Sequence, residues 1–129
     1  MSYPNKDDLV AVQSAVNAFP YVVHGEAWED ICKRLEGDCK DYVLGKLHKL
    51  LSLGWPIETL RIGIVVVEPA ARIGDETHAV LVVDDEHVLD NRQMAVSSVD
   101  GLARIGYEPV EIQQAGGHRT FVEWFWRTT

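Results

Sequence analysis

The stretch from Gly37 to Glu68, GDCKDYVLGKLHKLLSLGWPIETLRIGIVVVE, changes its periodicity midway, and that change decides the fold. Its first half carries apolar residues at helical spacing. Cys39, Val43, Leu47, Leu50 and Leu51 form one stripe, and Gly54 followed by Pro56 stops the helix. Its second half, Leu60 to Glu68, is a β-branched run that reads as a strand. Gly37-Asp38 interrupts the preceding pattern, so the helix opens at about Cys39 and places that cysteine in its first turn.

Toward the N-terminus, Asn5 to Phe19 reads as a helix with Leu9, Val12, Val16 and Phe19 on one stripe, started by Asn5 and Asp8 and closed by Pro20. A shorter helix is expected over Glu26 to Leu35, with Trp28, Ile31, Cys32 and Leu35 on one face. Toward the C-terminus the texture is strand-like. Thr77 to Asp84 leads through the polar turn Asp84-Asp85-Glu86 to His87-Val88-Leu89-Asp90, a returning hairpin strand. Two further strands, Tyr107 to Gln113 and Arg119 to Arg127, are joined through Gly116-Gly117. In the last of them Trp124 and Trp126 share one face and Phe121 and Phe125 the other, a pattern read as core burial. Helices first and strands after is the α+β pattern, with N-terminal helices packed on one face of a mostly antiparallel sheet. The break near Pro56 separates two layers of a single domain, residues 1–129.

Composition narrows the function. The chain has 20 acidic and 12 basic residues and a net charge of −8, and its densest basic pair, Lys33-Arg34, is followed by Glu36 and Asp38. The basic stripe expected of a nucleic-acid binder is missing. No apolar run approaches the roughly 18–20 residues that span a bilayer. The N-terminal MSYPNKDDLVAVQ is polar, which points to a cytoplasmic protein. Cys32 and Cys39 are too few for a disulfide scaffold and are expected as free thiols. His24, His48, His87 and His118 are scattered, with no zinc-like pairing to either cysteine.

The chemistry resides in three residues. A helix N-terminus favours thiolate at Cys39 through its exposed N–H groups and partial positive charge. Asp38 or Asp41 would cap that end, while their charge opposes the thiolate. If the hairpin is centred on Asp84 or Asp85, His78 and Asp90 lie on the same sheet face. They are then directly opposite at roughly 4.5–5.5 Å between Cβ atoms, or diagonal at roughly 7–8 Å. Either spacing lets a carboxylate hold one imidazole nitrogen while the other faces a thiol. A slip of one residue would place them on opposite faces. Singly, a free cysteine is most often a small buried hydrophobe and an Asp-Asn pair most often a turn, so the reading rests on the combination.

These residues carry a resemblance. Trp28…Gly37-Asp38-Cys39-Lys40-Asp41-Tyr42…Lys46…Leu50…Gly54…Leu60-Arg61 resembles the nucleophile region of the bacterial transglutaminase-like cysteine proteases, in which a GDCEDY-type element opens the helix. His78-Ala79-Val80-Leu81 and Val88-Leu89-Asp90-Asn91 are similar to that family's histidine and aspartate strands, and Tyr107-Glu108-Pro109 to its tyrosine-containing strand. The resemblance covers roughly residues 25 to 112 and is carried by order and spacing together. It implies a papain/transglutaminase-like fold with the nucleophile at the N-terminus of a core helix. It also implies thiol hydrolysis of peptide or isopeptide bonds in a protein or peptide substrate. Cys39 would be nucleophile, with its backbone N–H in the oxyanion hole; His78 would be base and then acid, and Asp90 the orienter.

Two departures qualify the resemblance. Exported family members carry a longer N-terminal part, so their substrates are not transferred to this chain. They also bind calcium through acidic residues around the nucleophile, where this chain keeps Asp38 and Asp41 but has Lys40 in place of a glutamate. Calcium takes 6–8 oxygen ligands, so exchanging a carboxylate for an ammonium weakens or abolishes such a site; no cofactor is expected, with calcium as the alternative. The competing readings are acyl transfer to an amine through the same triad, and a non-catalytic binding module that keeps the fold.

Overall fold

The computed structural model describes residues 5–23, 25–67 and 77–124. Helix α1 (Lys6–Asn17) starts where Asn5 accepts from the Asp7 N–H and Asp8 reaches back to the Asn5 N–H. The Trp55 indole also donates to Asp8 at 3.1 Å, which fixes this helix start against the core. Helix α2 (Ile31–Arg34) is much shorter than the expected Glu26–Leu35. Asp30 accepts from the Cys32 N–H at 2.8 Å and so caps the helix late. Leu35 ends it in the left-handed region at φ 70°, 61% exposed, and Trp28 is also exposed. Helix α3 (Cys39–Ser52) matches the expectation at both ends, but Leu51 faces solvent and Lys46 is buried in its place.

The strands are β1 (Leu60–Val66), β2 (Thr77–Val83), β3 (His87–Leu89), β4 (Ser97–Ser98), β5 (Glu108–Gln113) and β6 (Phe121–Glu123). Among the described residues they form one antiparallel sheet in the order β4-β3-β2-β1-β5-β6. The short β4 and the helix α4 (Val99–Arg104), capped by Ser98, were not legible in the sequence. Strand β6 stops at Glu123, short of the expected run, whose Phe125 and Trp126 lie outside the described residues. Glu68, expected to end the first strand, also lies outside them.

Alternation sorts the sheet into two apolar faces. Leu60, Ile62, Ala79, Leu81, Val83 and Leu89 pack against Leu9, Val12 and Val16 of α1 and Tyr42, Val43, Leu47 and Leu50 of α3. Leu50 is fully buried there, and Leu50→Ala would cost about 2–5 kcal/mol. On the other face Val65, Val80, Val82 and Val88 meet Leu102 of α4, Tyr107 and Trp124. Gly63 makes that second contact feasible, since a Cβ there would lie 2.6 Å from the Trp124 ring. Trp124 itself is buried, as expected. No described helix is long and apolar enough to cross a membrane.

Candidate active site

Three separate elements deliver Cys39, His78 and Asp90 to one point. Cys39 is the first residue of α3, entered through Gly37 and the N-cap Asp38. Gly37 is needed for space and not for an unusual backbone angle. A Cβ there would lie 2.6 Å from the Asp41 side chain. That carboxylate accepts from the Asp38 N–H at 3.1 Å and the Glu29 N–H at 2.9 Å, which ties the helix start to the segment before α2.

His78 is the second residue of β2, and Asp90 directly follows β3. The hairpin pairs Leu81 with Leu89, Val82 with Val88 and Val83 with His87. It is therefore centred on Asp85, and Asp90 stands diagonal to His78. Asp84 and Asp85 complete the turn at positive φ, 56° and 55°. Nε2 of His78 donates to Asp90 Oδ1 at 2.6 Å. Cys39 lies beside His78 in the same cleft, and its thiol feels both that imidazole and the Ala79 backbone N–H.

The electrostatics favour a charged pair. Burial opposes ionisation of Cys39, but the bonds from His78 and Ala79 and the imidazolium charge outweigh it, and the thiol falls below its ordinary value despite the opposing Asp38. Burial likewise opposes the imidazolium. Asp90, followed by Cys39, overcomes that and pushes His78 up to about 9. Asp90 is 1% exposed. Burial works against its charge, and His78, the Arg92 N–H at 2.9 Å and the Tyr107 hydroxyl at 2.7 Å pull its carboxyl below the usual range. Burial and then Asp90 push Tyr107 up to about 12, so it serves as a donor. Cys32 behaves in the opposite way, because burial and Asp30 raise its thiol.

Sequence reasoning did not assign roles to the residues that hold Asp90. Tyr107 was noted only as part of the resembling strand. Gln13 and Asn17 of α1 donate to the Asp90 carbonyl at 2.9 and 3.2 Å, and Lys46 of α3 donates to Gln13 at 2.8 Å. The available signal was a glutamine one turn after Leu9 and one residue from Val12, inside the buried stripe of an amphipathic helix.

A cleft of about 450 Å³ opens over the pair, lined by Tyr21, Cys39, Val67, Thr77, His78, Asn91 and Arg92. Tyr21 forms one wall, stacked on Tyr42 at 6.2 Å between ring centroids. The Tyr42 hydroxyl in turn donates to the Phe19 carbonyl. A larger concavity of about 750 Å³, bounded by Arg61, Val82, Ser98, Asp100 and Trp124, has neither cysteine nor histidine in its lining. Of the histidines outside the site, His48 is exposed and bonded to Asp30 at 2.8 Å, and His87 lies beside the hairpin turn. His118 is exposed, and His24 lies outside the described residues.

Known proteins share this architecture. The solved structure of calcium-bound LapG from Legionella pneumophila superposes with a TM-score of 0.72 at 23% identity, covering 85% of this chain and 65% of that one. A second LapG structure from the same organism gives 0.70 at 25% identity, covering 87% and 66%. An EGTA-treated LapG gives 0.72 at 24% identity, covering 96% and 69%. The chain thus spans about two thirds of the length of these proteins. No curated protein matches it by sequence. The model of one family, described as bacterial transglutaminase-like cysteine proteinase (BTLCP), matches residues 6–124. With nearly its whole length matched, the α+β chain belongs to the bacterial transglutaminase-like cysteine proteinase family.

Proposed function

We propose that this chain is a thiol hydrolase that cleaves peptide or isopeptide bonds with Cys39 as nucleophile, His78 as acid and base, and Asp90 as orienter. The observation that carries the reading is the 2.6 Å bond that ties His78 to the Asp90 carboxylate, with Cys39 beside His78 in one cleft. The thiolate attacks the scissile carbonyl carbon and forms a C–S bond. Negative charge develops on the carbonyl oxygen, beside the N-terminus of α3 and the Cys39 N–H. His78 gives its proton to the leaving nitrogen as the C–N bond breaks, leaving an acyl thioester. His78 then takes a proton from water, which attacks the thioester. The C–S bond breaks, the carboxylic acid departs and the sulfur regains its thiolate partnership with the imidazolium.

Calcium enters because one of the similar LapG structures is calcium-bound. Among the described residues, the carboxylates beside Cys39 are already engaged, which argues against that ion here. Lys40 Nζ lies 2.7 and 2.6 Å from the two Asp38 carboxylate oxygens. Both Asp41 oxygens accept backbone N–H groups. An ammonium already bridges Asp38, and a calcium ion would have to displace it and gather six or more oxygens. The Lys40 ammonium, on this reading, supplies in place of a metal the positive charge that Asp38 requires.

The test is cleavage of a proteome-derived peptide library followed by mass spectrometry, with and without an added primary amine. Cleavage that Cys39→Ala abolishes supports the hydrolase. Amide products only in the presence of amine would replace it with an acyltransferase, and no turnover of any peptide would favour a binding module.

A further inference from the structure

A buried lysine connects the helix that carries Cys39 to the loop that carries Asp90. Lys46 lies about two turns beyond Cys39 on α3 and is 1% exposed. Its Nζ donates to Gln13 Oε1 at 2.8 Å. Gln13, equally buried, donates Nε2 to the carbonyls of Asp90 and Gln93 at 2.9 Å each and of Ala95 at 3.3 Å. Asn17, one turn further along α1, donates Nδ2 to the same Asp90 and Gln93 carbonyls at 3.2 and 3.1 Å.

The direction of this chain follows from its chemistry. An ammonium only donates, so Lys46 can face only the oxygen end of the Gln13 amide. With that end fixed, the amine end must point at the loop, where three carbonyls converge. Reversing the amide would set oxygen against oxygen at three places and nitrogen against nitrogen at the fourth. Burying an ammonium is costly, and a leucine or methionine would fill the same space without that cost. Burial pushes Lys46 down to about 7, against the attraction of the Asp90 charge. A lysine retained there has a task that packing does not explain.

We infer that Lys46 is a positioning residue: by orienting Gln13 it locks the Asp90–Ala95 loop, and so holds the Asp90 carboxylate against His78. The inference rests on the Cys39–His78–Asp90 reading above. Without the lock the Asp90 carboxylate drifts from Nε2, the imidazolium loses its partner, and the Cys39 thiolate loses the imidazolium.

The experiment follows the pH dependence of iodoacetamide labelling at Cys39 in wild type, Lys46→Met, Gln13→Leu and the double variant, with the thermal stability of each. Both single variants should move the acidic inflection upward by about half a unit or more, roughly a threefold loss of rate on the acidic limb. Gln13→Leu keeps the lysine side chain, so an equal shift in both identifies the chain of bonds and not the lysine alone as the cause. The double variant should shift no further than either single one. Its inflection should stay displaced whatever its stability relative to Lys46→Met, because Gln13→Leu also takes the donor from the Asp90, Gln93 and Ala95 carbonyls. Unmoved inflections, additive shifts, or an inflection that recovers together with stability would each overturn the inference. If wild-type Cys39 labels no faster than Cys32, the triad reading itself fails, which is a distinct result.

Discussion

His78 and Asp90 meet at 2.6 Å although they are not hairpin partners. Extending the observed register places Asp90 opposite Val80, and the carboxylate reaches diagonally across one strand step to the imidazole. The diagonal leaves the second carboxylate oxygen free for the Tyr107 hydroxyl at 2.7 Å, arriving from the segment before β5. Asp90 is thus gripped through both carboxylate oxygens, which holds the His78 ring in place beside Cys39.

Iodoacetamide should separate the two cysteines. Burial and Asp30 raise the Cys32 thiol, whereas His78 and Ala79 lower that of Cys39. At neutral pH Cys39 should label faster by an order of magnitude or so, and His78→Ala should remove most of the difference. Peptide mapping of the alkylated protein reads both rates at once; equal rates unaffected by the histidine change would sink the activated-thiol reading.

The pH dependence of stability should carry the His78–Asp90 bond. In a Cys39→Ser protein the thiol's opposing titration is gone, and His78 remains raised by Asp90. A base whose folded pKa lies above its unfolded value of about 6.5 stabilises fully below that value and loses the contribution as pH rises through the folded pKa. Stability should therefore decline as the pH rises above about 6.5 and through the Asp90-raised pKa of His78, by a few kcal/mol at most. Asp90→Asn in the same background should flatten this slope, and urea unfolding at a series of pH values measures it. A slope that persists in the asparagine variant would assign it to another group.

Asp90→Asn in the otherwise native protein should keep the fold. The amide oxygen still accepts from His78 and the Arg92 N–H, and the Tyr107 hydroxyl can turn to accept from the amide nitrogen. Turnover should fall by about two to four orders of magnitude, because the imidazolium loses its counter-charge. Tyr107→Phe removes one hydrogen bond to a buried carboxylate and should cost about 1.5–3 kcal/mol of stability with a smaller loss of turnover. Near-native turnover of Asp90→Asn would reduce Asp90 to a turn residue.

The legible part of this site was the part encoded by local pattern. The helix opening at Cys39 was readable from Gly37-Asp38 and the stripe after it, and the hairpin from its apolar runs and charged turn. The hairpin register stayed open between two values because a three-residue turn with two left-handed aspartates has no glycine to mark its centre. The short α2 was over-extended because Trp28 and Leu35 sit at helical spacing while the Asp30 cap overrides it. Gln13, and the role of Lys46, which entered only as part of the resembling stretch, were hidden for a different reason. A polar residue on an apolar stripe becomes meaningful only when its partner, 33 positions away, is known.

Calcium offers a sharp test, because one of the similar LapG structures is calcium-bound. Asp38 holds the Lys40 ammonium with both oxygens, and Asp41 spends its oxygens on backbone N–H groups that shape the entry to α3. A divalent ion would have to expel Lys40 and unmake that entry, so millimolar calcium should leave the wild-type melting temperature unchanged. Lys40→Glu removes the built-in cation, adds a carboxylate and creates like-charge repulsion at the helix start. That variant should be less stable without calcium and regain stability with it. Filling such a site at about 100 times its dissociation constant adds roughly 2.7 kcal/mol, which thermal unfolding resolves readily. EGTA should reverse the gain, and Asp41→Ala in the Lys40→Glu background should prevent it. A calcium-dependent rise in the wild-type protein, abolished by EGTA and by Asp41→Ala, would show instead that the ammonium yields its place to the metal.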